Sequence, residues 1–135
     1  MDKANVLDAS AVLAYLQEEK GLDRIEAALD ESPCLLSAVN LCEVLGKLCE
    51  KGMPLQEAQA AVNELGLSII DFDKPQAGMA AFMKARISAI GASFGDRACL
   101  ALAEQVIRAQ ATPVVLTAEK AWSKLKWPFK VVVIR

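Results

Sequence analysis

Ala4-Asn5-Val6-Leu7-Asp8-Ala9-Ser10-Ala11-Val12-Leu13-Ala14 is the stretch from which the fold can be read. Its first four residues are short and end apolar, and the apolar residues Ala11, Leu13, Ala14 and Leu16 that follow recur at helical spacing, so a buried strand feeds directly into a helix. Asp8 stands at the junction. Working outward, the same alternation repeats. Residues 21–31 pattern as an amphipathic helix, 33–37 as a short buried strand, 38–51 as a helix stopped by Gly52, and 54–65 as a helix with proline near its start and Gly66 beyond its end. A strand over 67–72, a helix over 75–89, a Gly/Ser loop over 90–95, a helix from Asp96 to Gln110, a strand over 113–116, a short helix over 118–124 and a last strand over 131–134 complete the chain. Strands alternating with helices predict an α/β fold: a three-layer sandwich with a mostly parallel central sheet and helices on both faces.

The chain has 135 residues, a length that suits one domain over residues 1–135. Hydrophobic residues make up 54% but aromatics only 5%, so the core is aliphatic, and the apolar surplus points to a homodimer. The net charge of −2 conceals an asymmetry. Residues 1–73 carry −9 and residues 74–135 carry +7, a distribution that suits a polyanionic partner unless folding intermingles the halves. No histidine is present, and Cys34, Cys42, Cys49 and Cys99 form no CxxC pair. Zinc sites of common spacing, Ser-His-Asp triads and Cys-His dyads are therefore excluded. The cysteines read as small buried residues in a reducing compartment. No apolar run is long enough for a membrane helix and no signal peptide is visible, so a cytoplasmic location is expected.

Four carboxylates sit where predicted elements change type: Asp8, Glu43, Asp96 and Glu119. Each has an ordinary role open to it. Asp8 and Asp96 suit helix N-caps, Glu119 suits the first turn of a helix capped by Thr117, and Glu43 can pair with Lys47 one turn on. Asp71 and Asp73 read as turn residues. In an open parallel sheet, however, reactive groups collect beyond the carboxyl ends of the strands, and the connectivity sends all four acids toward that rim. Two like charges about 4 Å apart repel by roughly 4 kcal/mol at an effective dielectric near 20, so acids gathered there take up protons or bind a cation.

The stretches Val6 to Ala14, Asn40-Leu41-Cys42-Glu43-Val44, Gly95-Asp96-Arg97-Ala98-Cys99-Leu100-Ala101-Leu102-Ala103 and Leu116-Thr117-Ala118-Glu119-Lys120-Ala121-Trp122 resemble the signature segments of PIN-domain ribonucleases. In order, spacing and length they most resemble the VapC-type toxins of bacterial toxin-antitoxin pairs. The resemblance implies a PIN-like sandwich, with Asp8, Glu43 and Asp96 at the principal acidic positions and Glu119 at the fourth, where the family usually has Asp. It also places hydroxyls near the site, making Ser10 and Thr117 candidates to orient the carboxylates. It further implies RNA products with a 5′ phosphate and a 3′ hydroxyl, and a cognate antitoxin that covers the acidic groove.

Oxygen-only ligands favour Mg²⁺ or Mn²⁺. The expectation is metal-assisted hydrolysis of RNA, with Asp8, Glu43, Asp96 and Glu119 as catalytic and metal-holding residues. Arg97, Lys120, Lys124, Lys126 and Lys130 are candidates to hold backbone phosphates. Trp122 and Trp127 are available to stack on a base, with core packing the simpler role. Two other readings stand beside this one. A non-catalytic binding or regulatory module would keep the fold without metal, and a phosphoacceptor receiver domain would need a pair of acids near the first strand where this chain has only Asp8.

Overall fold

The computed structural model describes residues 2–87 and 90–135. Among these, five strands form one sheet: β1 (Lys3–Leu7), β2 (Cys34–Ser37), β3 (Ser68–Ile70), β4 (Thr112–Thr117) and β5 (Lys130–Val133). The order is β3-β2-β1-β4-β5 and every neighbouring pair is parallel. The helices are α1 (Ala9–Leu16), α2 (Leu22–Glu31), α3 (Ala38–Glu50), α4 (Leu55–Asn63), α5 (Lys74–Ile87) and α6 (Phe94–Arg108), with a 3-10 turn over Lys120–Lys124.

Alternate residues of a strand face opposite sides, and β1 shows what this does. Leu7, fully buried, joins a core with Val12, Ile25, Leu36, Val44 and Leu116 beneath α1 to α4. Its neighbour Val6, also fully buried, joins Val115, Leu100, Leu102, Ile87 and Trp122 beneath α5 and α6. The two clusters are the two seams of a three-layer sandwich, as the alternating pattern predicts. Covered on both faces, the central strands β2, β1 and β4 read as continuous apolar runs rather than alternating ones, while the edge strands β3 and β5 are less buried.

Several boundaries move for local reasons. Ser93, not Asp96, caps α6: its hydroxyl accepts from the Asp96 N–H at 3.2 Å while Asp96 Oδ2 accepts from the Ser93 N–H at 2.9 Å. This reciprocal capping box starts the helix two residues before the expected position. The expected helix over 118–124 is a 3-10 turn preceded by Glu119. The expected helix over 75–89 runs from Lys74 to Ile87, and Ser88 and Ala89 lie outside the described residues. Among the described residues no helix is long and apolar enough to cross a membrane.

The strand order decides where side chains meet. From β1 the chain moves outward to β2 and β3, then returns to place β4 against the other side of β1. The connections diverge between β1 and β4, which leaves a crevice beyond their carboxyl ends. Leu7 lies in register with Leu116, so Asp8 and Thr117 stand side by side although 109 positions separate them in sequence.

Candidate active site

Asp8 lies at the floor of that crevice and is 2% exposed. It caps α1, its Oδ1 accepting from the Ala11 N–H at 2.8 Å. Two hydroxyls also donate to it: Ser10 to Oδ1 at 2.7 Å and Thr117 to Oδ2 at 2.5 Å. These hydroxyls are held in turn, because Ser10 Oγ accepts from the Ala118 N–H and Thr117 Oγ1 from the Glu119 N–H, both at 2.9 Å. The cap and the site are thus one arrangement. Burial pushes the Asp8 carboxyl up to about 6, against the pull of the hydrogen bonds from Thr117, Ser10 and Ala11, and the charge of Asp96 adds to the rise.

Glu43 reaches the same crevice from α3. Its Oε1 accepts from Asn40 Nδ2 at 2.8 Å, and the carboxylate lies against Gly95 in the first turn of α6. Asp96 comes from that same turn, and Glu119 stands exposed where β4 gives way to the 3-10 turn. Asp8, Glu43, Asp96 and Glu119 line one cleft of about 330 Å³, together with Ser10, Ser93 and Lys47. The electrostatics agree with the geometry. Cys99, one turn beyond Asp96 and completely buried, has its thiol pushed well above the usual range by burial, and the charges of Asp8, Asp96 and Glu43 all add to that rise.

The donor set fits a hard divalent cation, since every acid offers oxygen. Asp8 keeps a lone pair on Oδ2 beyond the bond from Thr117, while Glu43 Oε2 and Asp96 Oδ1 accept no hydrogen bond from another described residue. The carboxylates ring the cleft without being drawn to a point. Among the described residues no three acids or cysteines already stand together at ligating distance.

Other expected site residues lie elsewhere. Arg97 donates from Nη1 to the Ala80 carbonyl at 3.0 Å and sets its guanidinium over Phe94, 5.7 Å from the ring centre, so it ties α6 to α5. Lys120, Lys124, Lys126 and Lys130 are exposed along the segment from the 3-10 turn to β5. Trp122 is 1% exposed in the core, and Trp127 donates from its indole N–H to the Trp122 carbonyl while stacking on Phe129. Asp73 caps α5 through the Gln76 N–H at 2.9 Å.

The sequence offers Lys47 as an ordinary partner for Glu43. Glu43 bonds instead to Asn40, and Lys47 faces the cleft as its basic lining residue. The i to i+4 spacing that suggested a pair was also the signal that both residues share one helical face. Asn40 and Gly95 stand inside the quoted segments, yet no role for them is legible there, because nothing in a linear chain announces that α3 and α6 touch.

A model of the PIN domain family matches residues 6–128. No curated protein matches the chain. Among solved structures, VapBC2 from Rickettsia felis, bound to a DNA fragment from its promoter, aligns with a TM-score of 0.65 at 14% identity over 96% of this chain and 97% of that one. DNA-bound VapBC from Salmonella typhimurium gives 0.64 at 17% identity over 98% of each chain. VapBC-5 from Mycobacterium tuberculosis, a member of the VapBC family of toxin-antitoxin systems, gives 0.60 at 22% over 98% of each. At these identities the likeness is one of fold.

Proposed function

The chain belongs to the PIN domain family, and from that premise we propose that it is a divalent-metal-dependent endoribonuclease acting as the toxin of a toxin-antitoxin pair. The observation that carries the reading is the buried Asp8, held by two hydroxyls and a helix N–H at the mouth of β1 and facing Glu43, Asp96 and Glu119 across one cleft. A carboxylate in that position is costly unless a cation shares the site.

Asp8, Glu43 and Asp96 would hold Mg²⁺ or Mn²⁺, with Glu119 at the cleft's edge as the fourth acid. The ion, when bound, supplies positive charge that acidifies water and stabilises the anionic oxygens of a phosphodiester under attack. The chain's own residues do the rest. Ser10 and Thr117 fix the direction of the Asp8 carboxylate, the capping box holds one oxygen of Asp96 and leaves the other free for an ion, and Lys47 offers a cation to a backbone phosphate. Exposed Lys120, Lys124 and Lys126 extend that basic path beyond Glu119.

A cleft ringed by acids also suits a basic segment of an antitoxin, as do the toxin-antitoxin assemblies that share this fold. The test is cleavage of a defined panel of RNAs by purified protein, with Mn²⁺, with chelator, and with the variant Asp96→Asn. Cleavage that needs the ion and vanishes in Asp96→Asn supports the reading. Cleavage that survives both refutes it, and a protein that neither cuts RNA nor gains stability from Mn²⁺ is a non-catalytic module.

A further inference from the structure

Glu43 is exposed as a residue, and a long exposed glutamate ordinarily samples several rotamers. Here two buried features remove that freedom. The first is Asn40, 1% exposed and one turn earlier on α3. Its Nδ2 donates to Glu43 Oε1 at 2.8 Å and to the Gly95 carbonyl at 3.0 Å, which uses both amide hydrogens and joins α3 to α6. Its Oδ1, also buried, has no hydrogen-bond partner among the described residues. Turning the amide over would set Oδ1 against a carboxylate and a carbonyl, three acceptors with no proton among them, so the orientation is forced. An unpaired buried carbonyl is a cost to stability. The two donated bonds offset that cost, one of them to a carboxylate, so the amide is retained for where it holds Glu43 rather than for a net gain in stability.

The second feature is Gly95 itself. A Cβ built there would lie 2.1 Å from Glu43 Oε1, 2.4 Å from Cδ and 2.6 Å from Oε2. The carboxylate occupies the space that any other residue's side chain would fill. Its backbone is in the right-handed helix, so no unusual φ calls for glycine; the close approach does.

We infer that Asn40 and Gly95 form a clamp that positions the Glu43 carboxylate for the cation, Asn40 being a positioning residue that acts only through Glu43. The inference rests on the proposed metal-dependent reading of the cleft. The clamp turns a mobile surface side chain into a fixed ligand, since one end is hydrogen-bonded and the flank is seated on bare backbone.

The experiment measures Mn²⁺ affinity from the metal-induced rise in melting temperature of the full chain, with RNA cleavage alongside, for Asn40→Leu, Glu43→Gln, the double variant and Gly95→Ala. Asn40→Leu is expected to weaken Mn²⁺ about 10- to 100-fold, as loss of an orienting partner does, while the metal-free protein melts close to the parent temperature, the lost bonds offsetting the removed unpaired carbonyl. Glu43→Gln should weaken Mn²⁺ at least as much, and adding Asn40→Leu to it should change affinity by less than about twofold, the sign that both act through one carboxylate. Gly95→Ala attacks the clamp from the opposite side and should reproduce the loss, which keeps the test decisive if Asn40→Leu folds poorly. Unchanged affinity in both Asn40→Leu and Gly95→Ala, with Glu43→Gln impaired, overturns the clamp and leaves the nuclease reading standing. Unchanged affinity in Glu43→Gln overturns the metal reading itself. Additive losses in the double variant show that Asn40 acts elsewhere and also overturn the clamp.

Discussion

Replacing Asp8 with Asn should change how the metal-free protein responds to pH, by an amount that follows from the burial of one carboxyl. Burial raises Asp8 from 3.8 to about 6 in the folded chain. Between those values the native state holds a proton that the unfolded state has released, so stability falls as pH rises. The contribution is complete below 3.8 and is lost as pH passes through 6. At about 1.36 kcal/mol per pH unit the gap is worth about 3 kcal/mol. Asparagine cannot ionise and has nearly the same shape. Its Oδ1 can keep the Ala11 N–H, and its amide can donate to Thr117 Oγ1, whose hydroxyl then turns toward Ser10 Oγ, 3.4 Å away. The free energy of unfolding of Asp8→Asn minus that of the parent should therefore grow by about 2 kcal/mol of that total between pH 4 and pH 7, because the parent has already lost part of it at pH 4. Urea denaturation in chelator at half-unit steps of pH measures it, and taking the difference cancels the other titrating groups that the two proteins share. At pH 7 Mn²⁺ should stabilise the parent and leave Asp8→Asn unmoved. Two denaturation series that run parallel across this range would refute the claim that a buried carboxylate is forced to ionise at the cleft floor.

Thr117→Val keeps the shape but removes the donor to Asp8 and the acceptor for the Glu119 N–H; it should cost about 1–3 kcal/mol at pH 7 by urea denaturation, and a neutral result would mean that the hydroxyl is not needed by the buried acid. A thiol reagent applied to native protein should label exposed Cys42 first and half-buried Cys49 more slowly, with Cys34 and Cys99, buried and shifted upward by that burial, reacting only on unfolding; four rapid equivalents would contradict the packing of β2 and α6. Arg97→Ala should lower stability by about 1–2 kcal/mol by freeing α6 from α5, with the salt dependence of RNA binding unchanged. A shallower salt slope in that variant would show that Arg97 contacts phosphate.

Much of the architecture was legible in one dimension. The run from Ala4 to Ala14 encodes a strand, a capping acid and a helix within eleven adjacent residues, and such interactions depend on spacing alone. Both the aliphatic strands and the helical periods identified a parallel sheet with two covered faces, because a strand buried on both sides has no polar partner to alternate with. Where local rules competed, the chain misled. Asp96 suits an N-cap, but Ser93 takes that place three residues earlier by accepting from the Asp96 N–H and gains the reciprocal bond, so Asp96 falls within the helix with one oxygen left outside the capping box. Lys47 suits an ion pair with Glu43, yet such a surface pair contributes little, and it is the buried Asn40 amide that binds the carboxylate, at Oε1.

What the amino-acid sequence determined by itself was the identity of the elements and the chemistry that they carry: oxygen acids, no histidine, and four carboxylates at junctions between elements. What only the tertiary structure decided was proximity. The register of β1 against β4 sets Thr117 beside Asp8, and the contact of α3 with α6 lets Asn40, Glu43 and Gly95 meet across gaps of more than fifty residues. Periodicity reports which face of an element is buried, but it says nothing of which other element lies against that face. That choice belongs to the packing of the whole chain.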